Sequence, residues 1–322
     1  MSNLNSLLLK AFGILLALTT AAAAQDYPTK PVRLIITFAP GGLNDTAGRV
    51  VATKLGKRLG KQIVVENRTG AGGVVGTELG AQAHKDGYTL LLVSMANTVN
   101  PWLYKLSYDP IKAFTPIAYL ASAPNVLSVN KELPVTSVKE LVALAKEQPG
   151  KLQYATGGVG SFMHLGGELF KLMAGIDMLS VPFRGGGPAL TDVIGGHTKL
   201  AFATVVATGA HVRSGRLRAL GVGGKQRHEL LPDVPTIAEA GLPGYEVANW
   251  IGIVAPAGTP APIVDKLYKE ISAVLESPEV QKRLSSEGAQ IARMSPAEFG
   301  DFMVKQLEKW GRVVEKAGIK TQ

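Results

Sequence analysis

The strongest constraint on how this chain folds is an alternation. Short β-rich runs and helical patterns follow one another along most of its length. VRLIITF precedes a helix over Thr46 to Leu59, QIVVEN precedes one over Thr77 to His84, and YTLLLVS runs into a proline-containing loop. After Ala123-Pro124 a second series begins: NVLSVN, a helix from Ser137 to Glu147, LQYAT, a helix from Ser161 to Ala174, LSVPF, a helix from Pro188 to Ile194, then KLAFAT and RLRALGV. The chain passes through PDVPTIAEAGLPGYEV into WIGIVAPAGTPAP and ends in two helices, Ala261 to Glu276 and Pro296 to Lys316. Strands alternating with helices in this way predict a parallel α/β architecture. Two such series with a late return predict two lobes, the first completed by the C-terminal helices. The first helix carries Ala47, Val50, Val51, Leu55 and Leu59 on one side, close to a 3.6-residue period. Asn44 or Asp45 is its expected cap.

Where the chain works limits what it can do. Lys10, an apolar run from Ala11 to Leu18 and AAAAQ with small residues at Ala22 and Ala24 have the layout of a cleavable export signal, residues 1–24. The run is short of the roughly 20 apolar residues a membrane anchor needs. Cysteine is absent, which removes disulfides, thiolate chemistry, cysteine zinc sites and the lipid-bearing cysteine of a lipoprotein. A free periplasmic protein is the expectation. Its formal charge of +9, or +8 without Lys10, favours anionic ligands. Nucleic acid is not expected as a partner: the basic residues are scattered, aromatics are few, and no zinc-finger or RNP-like motif is present.

The chemical motifs are mostly decoys. GAGGVVG, Gly70 to Gly76, follows a strand, but its spacing departs from the dinucleotide fingerprint and no acidic residue ends a strand about 20 residues on. A tight turn with close backbone approach explains it better. No G-x-x-x-x-G-K-[ST] and no G-x-S-x-G occurs. Of the five histidines, His164 lies three residues after Ser161 and four before Glu168. That spacing permits a hydrogen bond or a two-ligand metal contact, but a third ligand is not in view, so neither a metal nor another cofactor is expected.

What remains is a set of loops after the strands: APGGLND, SMANT, ATGGVGSFMH, FRGGGPAL and ATVVAT. In α/β sheets the ligand crevice lies outside the carboxyl ends of the strands, at helix N-termini. Glycines there let backbone N–H groups approach an anion, and the helix dipole favours negative charge. Together, five such loops predict a binding cleft.

The order and spacing of YPTKPVRLIITFAPGG, VVENRTGAGGVVGTE, DGYTLLLVS, YDPIKAFTPI, GVGSFMHLGGELFK, VPFRGGGPALTDVIGGH, LPDVPTIAEAGLPGYE and WIGIVAPAGTPAPIVDKL resemble the substrate-binding proteins of tripartite tricarboxylate transporters, the Bug receptors. The resemblance implies a type II, two-lobed periplasmic-binding-protein fold of the Venus-flytrap kind. Lobe 1 would be residues 25–124 plus 248–322 and lobe 2 residues 125–247, with hinges near Ala123 to Asn125 and Glu246 to Ile251. It implies capture of a small carboxylate, no catalysis, integral-membrane transporter subunits as partners, and a monomer. A periplasmic transferase or hydrolase using the same cleft is the alternative, and it lacks a reactive group with an activating partner.

Residue by residue, the resemblance implies Phe38, Gly41, Gly42 and Asp45 in the first loop, Asp45 holding the turn or a water. Ser94, Met95, Ala96 and Asn97 would line the same lobe. Thr156, Gly158, Ser161, His164, Gly186 and Thr204 would come from the second, with Arg184 a candidate for the ligand's far end. Two positions depart from the family's pattern. Leu43 stands where a hydroxyl residue is common, and Ala203 where an aspartate is common. Together they predict a plain or partly apolar carboxylate, such as an aromatic acid, over a zwitterionic amino acid.

Overall fold

The computed structural model describes residues 27–320 apart from Ala39, Gly41, Gly42, Arg184 and Glu287. The export signal and three of the expected site residues, Gly41, Gly42 and Arg184, therefore lie outside the described residues. Strand β1 (Val32–Ile36) leads into helix α1 (Leu43–Leu59), and β2 (Ile63–Asn67) into a 3-10 turn (Ala71–Gly73) and α2 (Val74–Ala81). Strand β3 (Thr89–Ser94) runs directly into α3 (Met95–Leu103), followed by the 17-residue β4 (Phe114–Asn130). Next come α4 (Val138–Glu147), β5 (Gln153–Thr156), α5 (Phe162–Ala174), β6 (Leu179–Pro182), α6 (Gly186–Ile194), β7 (Leu200–Thr204), α7 (Val205–Arg213) and β8 (Leu217–Val222). The chain returns through β9 (Ala248–Pro256), α8 (Ala261–Glu276), α9 (Pro278–Ser286), the short β10 (Gln290–Ile291) and α10 (Pro296–Ala317).

The sheet order is β2-β1-β3-β9-β4-β7-β5-β6, with β8 and β10 also pairing with β4. Parallel pairs lie at each end, β1 with β2 and β3, and β5 with β6 and β7. Between them β9 and β4 run antiparallel. The long strand β4 changes partners midway: Phe114 to Pro124 pair with β9, and from Asn125 onward the strand pairs with β7 and β8. One hydrophobic cluster is confined to the first half, and a larger one runs through both. Ile36, Ala47, Val51 and Leu55 pack with Leu267 and Ile271 of α8 under the first half. Tyr154, Leu165, Phe170 and Phe202 fill the second, in a cluster that continues to Trp250, Phe299 and Trp310.

Local chemistry sets the helix ends. Ser295 and Glu298 form a reciprocal capping box at the start of α10, which ends at Gly318 in a left-handed conformation. Ser137 caps α4 by accepting from the Glu140 N–H. Three sequence readings need correction. The segment after YTLLLVS is a helix, α3, not a loop. A Ser94–Asn97 capping box starts it, and the burial of Met95, Val99 and Leu103 holds it through Pro101, which lies inside the helix. A helix, α9, stands between the two C-terminal helices expected. Finally, α1 begins at Leu43, so Asn44 and Asp45 sit inside its first turn and do not cap it. Among the described residues no helix is long and apolar enough to cross a membrane.

Candidate functional site

A cavity of about 440 Å3 lies between the two halves of the sheet. Five helices present their N-terminal ends to it: α1 through Leu43 and Asn44, α3 through Ser94, Met95 and Ala96, α5 through Ser161 and Phe162, α6 through Gly185 and Gly186, and α7 through Thr204 and Ala207. This follows from the topology, because each of these helices starts where a strand ends on the same side of the sheet. Every such terminus carries unpaired N–H groups and the positive end of a dipole. The caps add donors. Ser161 Oγ accepts from the His164 N–H at 3.3 Å and Thr204 Oγ1 from the Ala207 N–H at 3.4 Å. An oxygen that accepts in this way keeps its own O–H proton to donate. Among the described residues the wall carries no charged side chain. It is a site for an acceptor-rich ligand held by neutral donors.

Of the residues named from sequence, Phe38, Leu43, Ser94, Met95, Ala96, Ser161, Gly186, Ala203 and Thr204 line this cavity. Asp45, Asn97, Thr156, Gly158 and His164 do not, and their positions explain why. Asp45, buried, accepts both oxygens' worth of contact from Arg49 Nε at 2.9 and 3.1 Å. It also accepts from Asn67 Nδ2 at 2.9 Å, and the same Nδ2 donates to the Phe38 carbonyl at 2.9 Å. Through Asn67 the carboxylate thus holds Phe38 from behind. Asn97 works similarly: its Oδ1 accepts from the Ser94 N–H at 2.8 Å, and its Nδ2 donates to Thr77 Oγ1, which donates in turn to the Gly73 carbonyl. That chain fixes the GAGG turn, whose Gly72 lines the cavity. Gly73 there has φ 97°, a left-handed value suited to glycine. Thr156 is buried at the end of β5, where its Oγ1 accepts from the Gly158 N–H at 3.3 Å.

His164 stands behind the α5 terminus, stacked on Tyr154. Its Nδ1 accepts from the Gly160 N–H at 3.2 Å, and its Nε2 lies 3.9 Å from Glu168 Oε1. That carboxylate oxygen also accepts from the Tyr154 hydroxyl at 2.5 Å and from Lys171 Nζ at 3.0 Å. Burial pushes the imidazole below its ordinary range; the Glu168 carboxylate opposes the shift and the Lys171 ammonium adds to it. The neutral form is therefore favoured in the folded state. Unfolded chains take up the proton as pH falls through about 6.5 while the folded protein resists. Stability contributed by neutral His164 is full above that pH and declines below it. Urea midpoints at pH 7.5 and 5.5 should fall further for the native protein than for His164→Gln; parallel profiles would remove His164 from this role.

Several lining residues carry no motif. Asn249, at the start of β9, donates through Nδ2 to Asn44 Oδ1 at 3.3 Å, joining the return crossing to the first turn of α1. Leu103 and Tyr104 reach the cavity from the end of α3. The proline had hidden that helix, and with it those two positions. Phe162 and Met163 follow Ser161, which caps α5 by accepting from the His164 N–H; a serine opening a helical pattern is the signal that finds such a first turn. Groups of three or more His, Asp or Glu placed to hold a metal are absent among the described residues.

Two α/β halves joined by crossing strands, with helix N-termini facing one another across a cavity, define a two-lobed periplasmic binding protein. The model of the tripartite tricarboxylate transporter family receptor matches residues 47–319, and the chain belongs to that family. It is 35% identical to the protein BugT of Bordetella pertussis, covering 97% of this chain and 98% of that one. Among solved structures, a protein of R. palustris with adipate is 36% identical with a TM-score of 0.83, covering 92% of this chain and 100% of the other. MatC from Rhodopseudomonas palustris with bound malate is 33% identical with a TM-score of 0.80, covering 89% and 100%. The family is one of solute receptors, and this chain is a receptor, not an enzyme.

Proposed function

We propose that the protein captures a small carboxylate in this cavity and delivers it to integral-membrane transporter subunits. The observation that carries the reading is the convergence of five helix N-termini on a cavity that, among the described residues, is walled by neutral donors. A carboxylate offers about four acceptor sites. Hydrogen bonds to a charged group contribute about 1.5–3 kcal/mol each, so three or four suffice for micromolar binding near −8 kcal/mol. Relatives solved with adipate and with malate support the same ligand chemistry. The lobes are residues 25–124 with 248–322 and residues 125–247, and they close about Ala123 to Asn125 and Glu246 to Ile251. Gly41, Gly42 and Arg184 belong to the same site. Residues 1–24 direct export and are removed after Ala24, and the receptor acts as a monomer in the periplasm.

The test is a thermal-shift screen against mono-, di- and tricarboxylates, aromatic acids and amino acids, after exhaustive dialysis of the purified protein. Saturable stabilisation by carboxylates, following mass action, is expected; turnover of any of them, or stabilisation only by uncharged solutes, contradicts the reading. Ser161→Ala and Thr204→Ala should each weaken the best ligand roughly tenfold or more by calorimetry, in line with one charge-assisted bond. Unchanged affinity in both would take the second lobe's caps out of the site.

A further inference from the structure

We infer that His164, which does not line the cavity, is a positioning residue for ligand capture: its neutral imidazole holds the glycine loop before α5 in the shape that binds, and capture weakens when the ring takes up a proton. The inference rests on the carboxylate reading above and adds the residue that prepares the second half of the sheet for it. The carrying observation is the bond from the Gly160 N–H to His164 Nδ1 at 3.2 Å. Gly157, Val159, Gly160 and Ser161 of that loop all line the cavity. Within the loop the Gly158 N–H donates to Thr156 Oγ1 at 3.3 Å, and the Ser161 N–H to the Gly158 carbonyl at 3.2 Å. The imidazole adds a tie from the loop to the first turn of α5. Gly160 also meets the other half of the sheet, because a Cβ on it would fall 2.3 Å from Leu103 Cδ1 at the end of α3. A shift of this one residue therefore disturbs the cavity wall and the contact across it together.

A ring nitrogen that accepts carries no proton, so the neutral imidazole holds its proton on Nε2, on the side of Glu168 Oε1 at 3.9 Å. A second proton goes to Nδ1. Nδ1–H and the Gly160 N–H then face each other as two donors, and the imidazolium is drawn toward the Glu168 carboxylate. The loop loses its tie to the helix. The charged groups acting on the ring are Glu168 and Lys171 of its own helix, and the exposed Asp177 lies 3.9 Å from Lys171 Nζ. Strand β5 presents Tyr154, stacked on the ring, and the segment before β9 presents Tyr245, which donates to the Gly166 carbonyl. Burial raises both phenols, so they stay neutral. Burial and Lys171 thus favour the neutral ring, and Glu168 opposes them. The sign follows: affinity is full above the ordinary histidine range, about pH 6.5, and is lost as the pH falls through the ring's depressed value.

The test is calorimetric titration of the dialysed protein with adipate, malate, citrate and benzoate at pH 8, 7, 6 and 5, in the native protein and in three variants; ratios of variant to native cancel the acids' own ionisation. Native affinity should hold from pH 8 to 7 and fall about threefold or more by pH 5 through one linked proton. His164→Gln offers an amide oxygen to the Gly160 N–H and does not titrate, so it should bind within about threefold of native at pH 8 and lose less on acidification. His164→Leu offers no acceptor and should bind roughly tenfold more weakly at pH 8, in line with one net hydrogen bond. Lys171→Met removes a charge that resists protonation, so it should move the fall to higher pH while leaving affinity at pH 8 unchanged. Damage to the fold does not produce that displacement, and this variant and His164→Gln decide the matter even where His164→Leu fails to fold. Parallel profiles for native and His164→Gln, an unmoved profile in Lys171→Met, or native affinity in His164→Leu would each overturn the inference and leave the carboxylate reading intact. Binding of none of the four acids at pH 8 would overturn both.

Discussion

Alanine at Gly223 is expected to cost about 3 kcal/mol or more, at the upper end of what overpacking a closed interior does. Gly223 sits where both crossings between the halves of the sheet meet. Its N–H donates to the Asn125 carbonyl at 2.8 Å, its carbonyl accepts from the Val247 N–H at 2.8 Å, and the Asn125 N–H donates to the Val247 carbonyl at 3.1 Å. A Cβ at this glycine would fall 1.8 Å from Asn125 Oδ1 and 3.1 Å from the Val247 carbonyl oxygen. The Asn125 side chain cannot swing aside freely, because its Nδ2 donates to the Tyr245 hydroxyl at 2.9 Å, which donates to the Gly166 carbonyl at 3.0 Å. Burial raises the Tyr245 phenol, keeping it protonated as that donor. The clash is thus passed to α5, the helix whose first turn walls the cavity. A melting midpoint at least about 5 °C lower is expected for a chain of this size. Gly187→Ala is the control: among the described residues, nothing outside its own stretch of helix lies within 4 Å of a Cβ there. In the first turn of α6 that change should be neutral or mildly stabilising. Equal midpoints for the two variants would show that the crossings tolerate displacement and are not the pivot described.

Asp45→Ala is the second large effect, and its main readout is affinity. The carboxylate does not line the cavity, yet it accepts from Asn67, and Asn67 holds the carbonyl of Phe38, which does line it. Arg49 is half exposed, so its pair with Asp45 is screened by water and contributes little by itself. The loss is concentrated in the buried acceptor, about 1–3 kcal/mol of stability. The freed loop then has to be ordered again on binding, and a fall in ligand affinity of roughly tenfold or more follows from a loss of pre-organisation of that size. Asp45→Asn keeps an acceptor for Asn67 and should recover most of the affinity. If Asp45→Ala binds as tightly as the native protein in calorimetry, the loop is held by other contacts.

Much of this architecture could be read from the chain because its signals are local. Strand and helix periods alternate, and glycine or a hydroxyl stands at each junction, so the side of the sheet that gathers helix N-termini follows from connectivity. The loops that hold Ser94, Ser161 and Thr204 are legible in this way, and the family resemblance picks out the residues within them. Other features depend on contacts between segments far apart in sequence. Nothing near Asp45 tells whether its carboxylate faces a ligand or Asn67, and His164 looks available until Tyr154 and Glu168 are seen to enclose it. Asn249 meets Asn44 across more than two hundred residues. Pro101 misled for a different reason: it signals a break inside a helix, and what overrides it is the burial of Val99 and Leu103 against residues far away in sequence.

The most direct test of the central claim is a crystal structure of the protein with the carboxylate that stabilises it most in the thermal-shift screen. The account predicts the carboxylate between the two halves of the sheet, with its oxygens about 3 Å from backbone N–H and hydroxyl donors at the helix N-termini. A carboxylate seated outside this cavity, or one inside it that touches none of those helix N-termini, would contradict it.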